Sequence, residues 1–168
     1  RTTPLRPYGP RDTLAIHPGS VTSTSTLGLG GRLYQELQTR YRRAFEQLVA
    51  RGEIDKAAFV LAELLKVNEE AIAFLEKHGR YRLAAEIAEA RDLAPGIAVR
   101  LWFLAGDRAR AIRLARERNA FADAVARLDA TDKRASHALR LVWADQLATS
   151  GSYASAVDAI WPVESARS

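Results

Sequence analysis

Arginine side chains are the groups in this sequence with the clearest capacity to bind a partner. Arg110, Arg113 and Arg116 recur at three-residue intervals and predict a basic stripe on one helix, opposite its apolar face. Arg40, Arg42 and Arg43 form a second basic cluster. Guanidinium groups pair with phosphates and carboxylates, so these residues are candidates for binding nucleic acid or an acidic protein. The alternative is an ordinary solvated helix face, which we favour because acidic residues interrupt the stripe.

The histidines do not form a catalytic or metal-binding pattern. His17, His78 and His137 lie far apart and cysteine is absent, which excludes thiolate ligands and thiol nucleophiles. His78 precedes Gly79 at a predicted helix end, where a cation would stabilise the helix dipole. His137 and Asp145 could pair as a base and its orienting carboxylate, but no activated serine accompanies them. We therefore expect no catalytic residue, no metal and no other cofactor.

Composition places few limits on the partner. The 25 basic and 20 acidic residues give a net charge of +5, and 21 of the basic residues are arginine. A GC-rich genome explains that ratio as well as a phosphate-binding surface does. No apolar run approaches the roughly 18 residues that span a bilayer, and no signal-peptide pattern is visible, so a cytoplasmic location is the default expectation.

The chain divides into three regions by composition. Residues 1–31 hold four of the six prolines and a Ser/Thr run, which predict an extended arm or linker tied down through Tyr8 or Ile16. Residues 32–162 have helical periodicity almost throughout, and residues 163–168 form a tail after Pro162, which should end the last helix. Because the sequence starts at Arg1 and lacks methionine, we expect it to be part of a longer multidomain protein.

The periodic region predicts nine helices joined by turns of one to four residues. Short turns make consecutive helices antiparallel, so the units should be helical hairpins. The predicted helices cover residues 32–51, 53–67, 68–76, 80–91, 95–105, 107–118, 120–129, 132–149 and 152–161.

Internal repetition is the most informative feature of the sequence. Five turn residues can be aligned so that an alanine follows five positions later in every case. The turn residues are Gly52, Gly79, Gly106, Asn119 and Gly151, and the alanines are Ala57, Ala84, Ala111, Ala124 and Ala156. The turn residue should adopt a left-handed conformation, and the alanine should let two helix backbones approach closely. The spacing of 13 before Asn119 indicates a break in the hairpin alternation there.

The signature Gly-x-Tyr-x-x-Ala-apolar, seen at residues 79–85 and 151–157, resembles that of tetratricopeptide repeats. The turn spacings of 27, 27, 13 and 32 depart from the 34 residues of that family, and look more like the helical segments that follow β-propellers in coat and scaffold proteins. The resemblance implies a short right-handed α-solenoid that holds other proteins together and has no chemistry of its own.

The sequence therefore favours a protein–protein interaction scaffold of undetermined oligomeric state, with a nucleic-acid or phosphate-binding helical module as the alternative. Aromatic residues on the concave side of a solenoid collect partner segments, although core packing is their more usual role. The candidate partner-binding residues are Arg40, Arg43, Arg100, Trp102, Arg110, Arg113, Arg116 and Trp143.

Overall fold

In the computed structural model of the protein, the backbone is described for residues 24–164 and the side chains for residues 30–163. This part of the chain contains nine α-helices and no strand, which confirms the predicted all-α class. The helices are α1 (Thr24–Ala50), α2 (Ile54–Phe59), α3 (Asn68–Lys77), α4 (Tyr81–Ala90), α5 (Pro95–Leu104), α6 (Arg108–Glu117), α7 (Phe121–Asp129), α8 (Lys133–Thr149) and α9 (Tyr153–Glu164).

Two predicted helix boundaries were wrong. Helix α1 begins at Thr24 and not near residue 32, so residues 24–31 are helical where an extended arm was predicted. Helix propensities differ by about 1 kcal/mol or less per residue, so a long helix propagates through the Gly/Ser/Thr segment. Helix α9 continues past Pro162 to Glu164, although the proline removes one backbone hydrogen bond from its last turn. The rest of the predicted arm, with Tyr8 and Ile16, and residues 165–168 lie outside the described range.

The described residues belong to two compact units, with the division between Leu37 and Gln38. In the second unit, α2 continues into a π-helical segment, Val60–Leu64, before α3. Neighbouring helices then pack on one another: α3 on α4, α4 on α5, α5 on α6, α7 on α8 and α8 on α9. Helix α5 also packs on α7, which makes it the most enclosed helix of this array.

Helix ends in the array share one turn geometry. Each of the five predicted turn residues has a positive φ, between 50° and 84°. Lys66 and Asp92 also adopt this conformation, with φ of 59° and 48°. With these two added, the turns from Gly52 to Asn119 fall at positions 52, 66, 79, 92, 106 and 119, a spacing of 13 or 14 residues. The predicted break near Asn119 is therefore wrong, because the repeating unit there is one helix and one turn.

Backbone hydrogen bonds explain how a lysine or aspartate can replace glycine in these turns. The amide of Arg80 donates to the carbonyl of Leu75 at 2.8 Å across the glycine turn, and the amide of Leu93 donates to the carbonyl of Ala88 at 3.0 Å across Asp92. In each turn, the amide of the residue that follows the left-handed position donates to a carbonyl that has no partner within the helix. The same bond offsets the strain of a side chain in the left-handed region.

The repeat alanines lie where helices cross. Four of them are completely buried, and the fifth, Ala156, is 8% exposed. Three of them, Ala84, Ala111 and Ala124, share the main core with large fully buried side chains such as Trp102 and Leu75. The alignment of the repeats by sequence is thus confirmed by burial.

Helix α5 approaches α7 closely at Gly96. A Cβ atom at this position would lie 2.8 Å from the Cβ of Asp123 and closer still to its carboxylate. Helix propensity alone predicts that Gly96→Ala stabilises the protein by about 1 kcal/mol. We expect the opposite, a loss of about 1–3 kcal/mol in the free energy of unfolding, because the clash involves the base of the Asp123 side chain as well as its tip.

A double-mutant cycle separates the clash from other effects of the Gly96→Ala substitution. Asp123→Ala removes the carboxylate that the new methyl group meets, so the Gly96→Ala/Asp123→Ala protein should lose less than the sum of the single losses. Urea unfolding of the four proteins provides the measurement. Additive losses, or a stabilised Gly96→Ala protein, would show that the two helices have room for a side chain here.

Candidate functional site

Trp102 belongs to the core and not to a partner-binding surface, so its prediction as a binding residue was wrong. Its side chain is completely buried, and its Nε1 donates to Oε2 of Glu89 at 2.8 Å. The guanidinium of Arg110 lies 4.1 Å from the centre of the indole ring and donates to the same carboxylate oxygen at 2.7 Å. The three side chains tie α4, α5 and α6 together through a cation–π contact and a shared acceptor.

Arg100, another predicted binding residue, also has a structural partner. Its Nη1 donates to Oε1 of Glu76 at 2.6 Å, with the two side chains only 12% and 24% exposed. This ion pair joins α5 to α3, just as the pair of Arg110 and Glu89 joins α6 to α4. Arg80 and Asp55, 3.4 Å apart, extend the pattern, and so do the pairs Arg91–Glu63 and Arg118–Asp92.

Between α2 and α6, these ion pairs connect a helix, or the turn beside it, to the element two positions along the array. Side chains of helices n and n+2 face each other when helical hairpins stack, so an arginine on one and a carboxylate on the other are within reach. The partly buried pair of Arg100 and Glu76 is the best sheltered from solvent screening. Part of the arginine content of the chain therefore has a structural explanation.

The other predicted basic residues remain on the surface but do not form one patch. Arg113 and Arg116 are exposed on α6, where they line a concavity of about 550 Å³ together with Ala109, Ile112 and Glu117. Arg40 and Arg43 are exposed on α1. The predicted stripe is thus divided, because Arg110 turns towards Glu89 while its two neighbours face solvent.

Trp143 is half-buried between α7 and α8. Its ring stacks on Phe121, with 6.1 Å between the ring centres and 6° between their planes. The residue packs against the main core but, unlike Trp102, remains partly exposed. The prediction of Trp143 as a binding residue therefore stays a prediction.

A partly buried polar network lies at the α7–α8 junction. Ser136, which is completely buried, donates from its hydroxyl to Asp129, and Nη2 of Arg140 donates to Asp129 Oδ2 at 2.6 Å. Burial raises the pKa of Asp129, but these two hydrogen bonds and the nearby charges of Arg140 and His137 bring it below its ordinary value. The network thus favours the ionised form of Asp129 at the junction.

The two histidines within the described residues have structural surroundings. His137 interacts with the charge of Asp129, whereas Asp145 lies two helical turns further along α8, about 12 Å away, so the proposed base and orienter do not meet. Nδ1 of His78 donates to the carbonyl of Phe74 at 2.8 Å, which confirms the predicted capping of a helix C-terminus.

A broad, open concave surface lies along α3, α4, α5, α7 and the start of α8. We call it the α3–α8 groove. Its volume is about 900 Å³. The residues that line it are Ala73, Glu76, Tyr81, Arg100, Leu104, Arg127, Ala130, Thr131, Asp132 and Lys133.

Tyr81 and Leu104, both half-buried, form the middle of this surface. They also line a second concavity of about 440 Å³ beside the α3–α4 turn, so they separate two adjoining hollows. Sequence reasoning missed these two residues as candidates for binding. Tyr81 was recognised only as part of the Gly-x-Tyr-x-x-Ala signature, and Leu104 gave no signal beyond helical periodicity.

The charged groups around the α3–α8 groove are nearly balanced. Arg100 is paired with Glu76, and Arg127 is paired with Asp123, with Nε 3.0 Å from Oδ1. Asp132 accepts a hydrogen bond at 3.0 Å from the amide of Ala135 and so caps α8. Lys133 is exposed at the same end. The groove thus has apolar patches within a polar rim of low net charge.

The chain matches no family model, no curated protein and no solved structure. The resemblance to tetratricopeptide repeats and the right-handed sense of a solenoid therefore stay predictions. Among residues 24–164, no group of three or more histidine and acidic side chains is arranged to hold a metal ion. No helix in this range is both long enough and apolar enough to span a membrane.

Proposed function

We propose that this protein is a non-catalytic scaffold that binds an extended segment of another protein in the α3–α8 groove. The observation that carries the proposal is the groove itself, a concave surface of about 900 Å³ built from four helices and the start of a fifth. Stacked helical units commonly use such surfaces for binding. The cytoplasmic location and the place of the chain in a larger multidomain protein remain predictions.

The chemistry of the groove suits a peptide better than a small molecule or a polyanion. Tyr81 offers an apolar ring and a hydroxyl, a combination that is enriched at protein interfaces. Leu104 and the exposed Ala73 and Ala130 provide apolar contacts beside it. Charged side chains of both signs line the rim, so a mixed-sequence segment would meet complementary groups at either end.

A nucleic-acid-binding module has less support. Binding to phosphates requires cations that are available to replace counterions. Arg100 and Arg110 are instead engaged with Glu76 and Glu89, and releasing them would leave two partly buried carboxylates without their cationic partners. We therefore favour the peptide scaffold over the phosphate-binding alternative.

Peptide selection tests the proposal directly. Peptides selected from a random library on the immobilised 168-residue chain should bind the wild-type protein. Their affinity for the Ala73→Arg variant should be at least about tenfold lower, because the loss of one anchoring contact costs about 1.4 kcal/mol or more, which corresponds to a factor of ten. The matched control is Ala126→Arg, which changes an exposed alanine of α7 outside the groove and should leave affinity unchanged. Fluorescence anisotropy at physiological salt gives both values.

Two results would contradict the proposal. One is a set of selected peptides that bind both variants equally, which would place the binding site elsewhere. The other is sub-micromolar binding of single-stranded or duplex nucleic acid that persists at physiological salt and disappears when Arg113 and Arg116 are replaced by glutamate. That second result would establish the phosphate-binding alternative.

A further inference from the structure

Helix α9 exposes an apolar face on the outer side of the array. Tyr153, Val157 and Trp161 follow one another at intervals of four residues and are 70%, 54% and 67% exposed. Residues four apart lie on the same side of a helix, so these three side chains form a continuous stripe, which we call the α9 face.

The opposite side of α9 is already used for packing on α8. Ala156 and Ala159 are buried against α8, beside Trp143 and Leu147. A helix that is apolar on both sides is normally covered on both sides. Asp158 is the single charged residue between positions 153 and 163, so α9 carries little charge on either side.

We propose that the α9 face binds the α9 face of a second copy of this chain. The order of side chains along the stripe is large, small, large, and it is symmetric about Val157. A two-fold axis through Val157 makes the two helices antiparallel and places Tyr153 opposite Trp161 of the second copy. The small central side chain allows close approach, and each aromatic ring meets a ring of the other kind. A patch that complements itself in this way is the requirement for an isologous dimer.

The size of the α9 face indicates a weak dimer. Aromatic side chains bury roughly 150–250 Å² each, so at the observed exposures the apolar side chains supply about 600–800 Å² over both copies. With a polar rim, this corresponds to the small, transient class of interface. The scarcity of charge on the α9 face agrees with the centres of protein interfaces, where charged residues are depleted. The dimer is separate from the α3–α8 groove and does not depend on the function proposed for it.

Sedimentation equilibrium on the full 168-residue chain tests the dimer. Between about 5 and 500 μM, a range that covers transient interfaces of this size, the average mass should rise from 18.5 kDa towards twice that value and no further. Val157→Asp places two carboxylates at the two-fold axis and should abolish the rise. Phe59→Asp is the matched control, because Phe59 is 57% exposed on a different helix. This substitution should leave the increase of average mass with concentration unchanged.

Cross-linking tests the antiparallel arrangement, and the absence of cysteine from the chain makes a single introduced thiol a clean probe. Val157→Cys should form a disulfide-linked dimer on mild oxidation, because both thiols lie at the axis. Phe59→Cys should form it at least tenfold more slowly. Three results would overturn the proposal: a monomer throughout the concentration range, equal cross-linking of the two cysteine variants, or open-ended oligomers that the Phe59→Asp substitution also disrupts.

Discussion

Trp102→Ala should lower the free energy of unfolding by about 3–5 kcal/mol, the range for removal of a buried tryptophan. The indole is completely buried, so its loss leaves a cavity at the centre of the array. Glu89 would also lose a hydrogen-bond donor, and Arg110 would lose the aromatic ring that its guanidinium contacts. Chemical unfolding in urea, followed by circular dichroism, measures the change.

Trp161→Ala is the matched control for this prediction. The Trp161 side chain is 67% exposed, so at low protein concentration its removal should change the stability of the monomer by less than about 0.5 kcal/mol. Losses of similar size in the two variants would show that Trp102 is not the core residue described above. The same pair of variants separates the structural tryptophan from the one assigned to self-association.

Ala84→Leu should lower the free energy of unfolding by about 1–3 kcal/mol, because extra atoms in a well-packed core force neighbouring side chains or backbones apart. Ala84 is completely buried on α4, at the repeat position where the helices approach closely. Leucine and alanine are both good helix formers, so the expected loss arises from packing and not from helix propensity. Urea unfolding again provides the measurement.

Ala90→Leu tests the same chemical change at an exposed position of the same helix. It should alter stability by no more than about 0.5 kcal/mol in either direction. If both variants lost equal stability, the five alanines would have no special role at helix crossings and the alignment of the repeats would be wrong.

The ion pairs give a physical reason for the many arginines of this chain. A guanidinium on a long side chain can span the distance between helices n and n+2 while its stem packs on apolar surface. The bidentate pair of Arg42 and Glu70 connects α1 to α3 in the same manner, and the arginine lowers the pKa of the glutamate through its hydrogen bond and charge. Acidification that protonates Glu70 would therefore remove this contact, whereas neutral pH keeps it.

Local features of the sequence were sufficient to predict the helices and the repeat. The positions of Gly52, Gly79 and Gly106 predicted the turns, because glycine adopts a positive φ without strain. The helical periodicity predicted the nine helices, and the alanines five residues after each turn predicted the buried crossings. These features depend on a few neighbouring residues, so they can be read without knowing which helices meet.

Only the tertiary structure decided which side chains are used within the array and which remain available to a partner. Glu89 and Arg110 lie on different helices, and their pairing over Trp102 depends on how α4, α5 and α6 pack. Tyr81 and Leu104 likewise become neighbours in a groove only after the helices pack. Helical periodicity identifies an apolar face but not the helix that covers it, so the burial of Trp102 and the exposure of Trp161 could not be distinguished from the sequence.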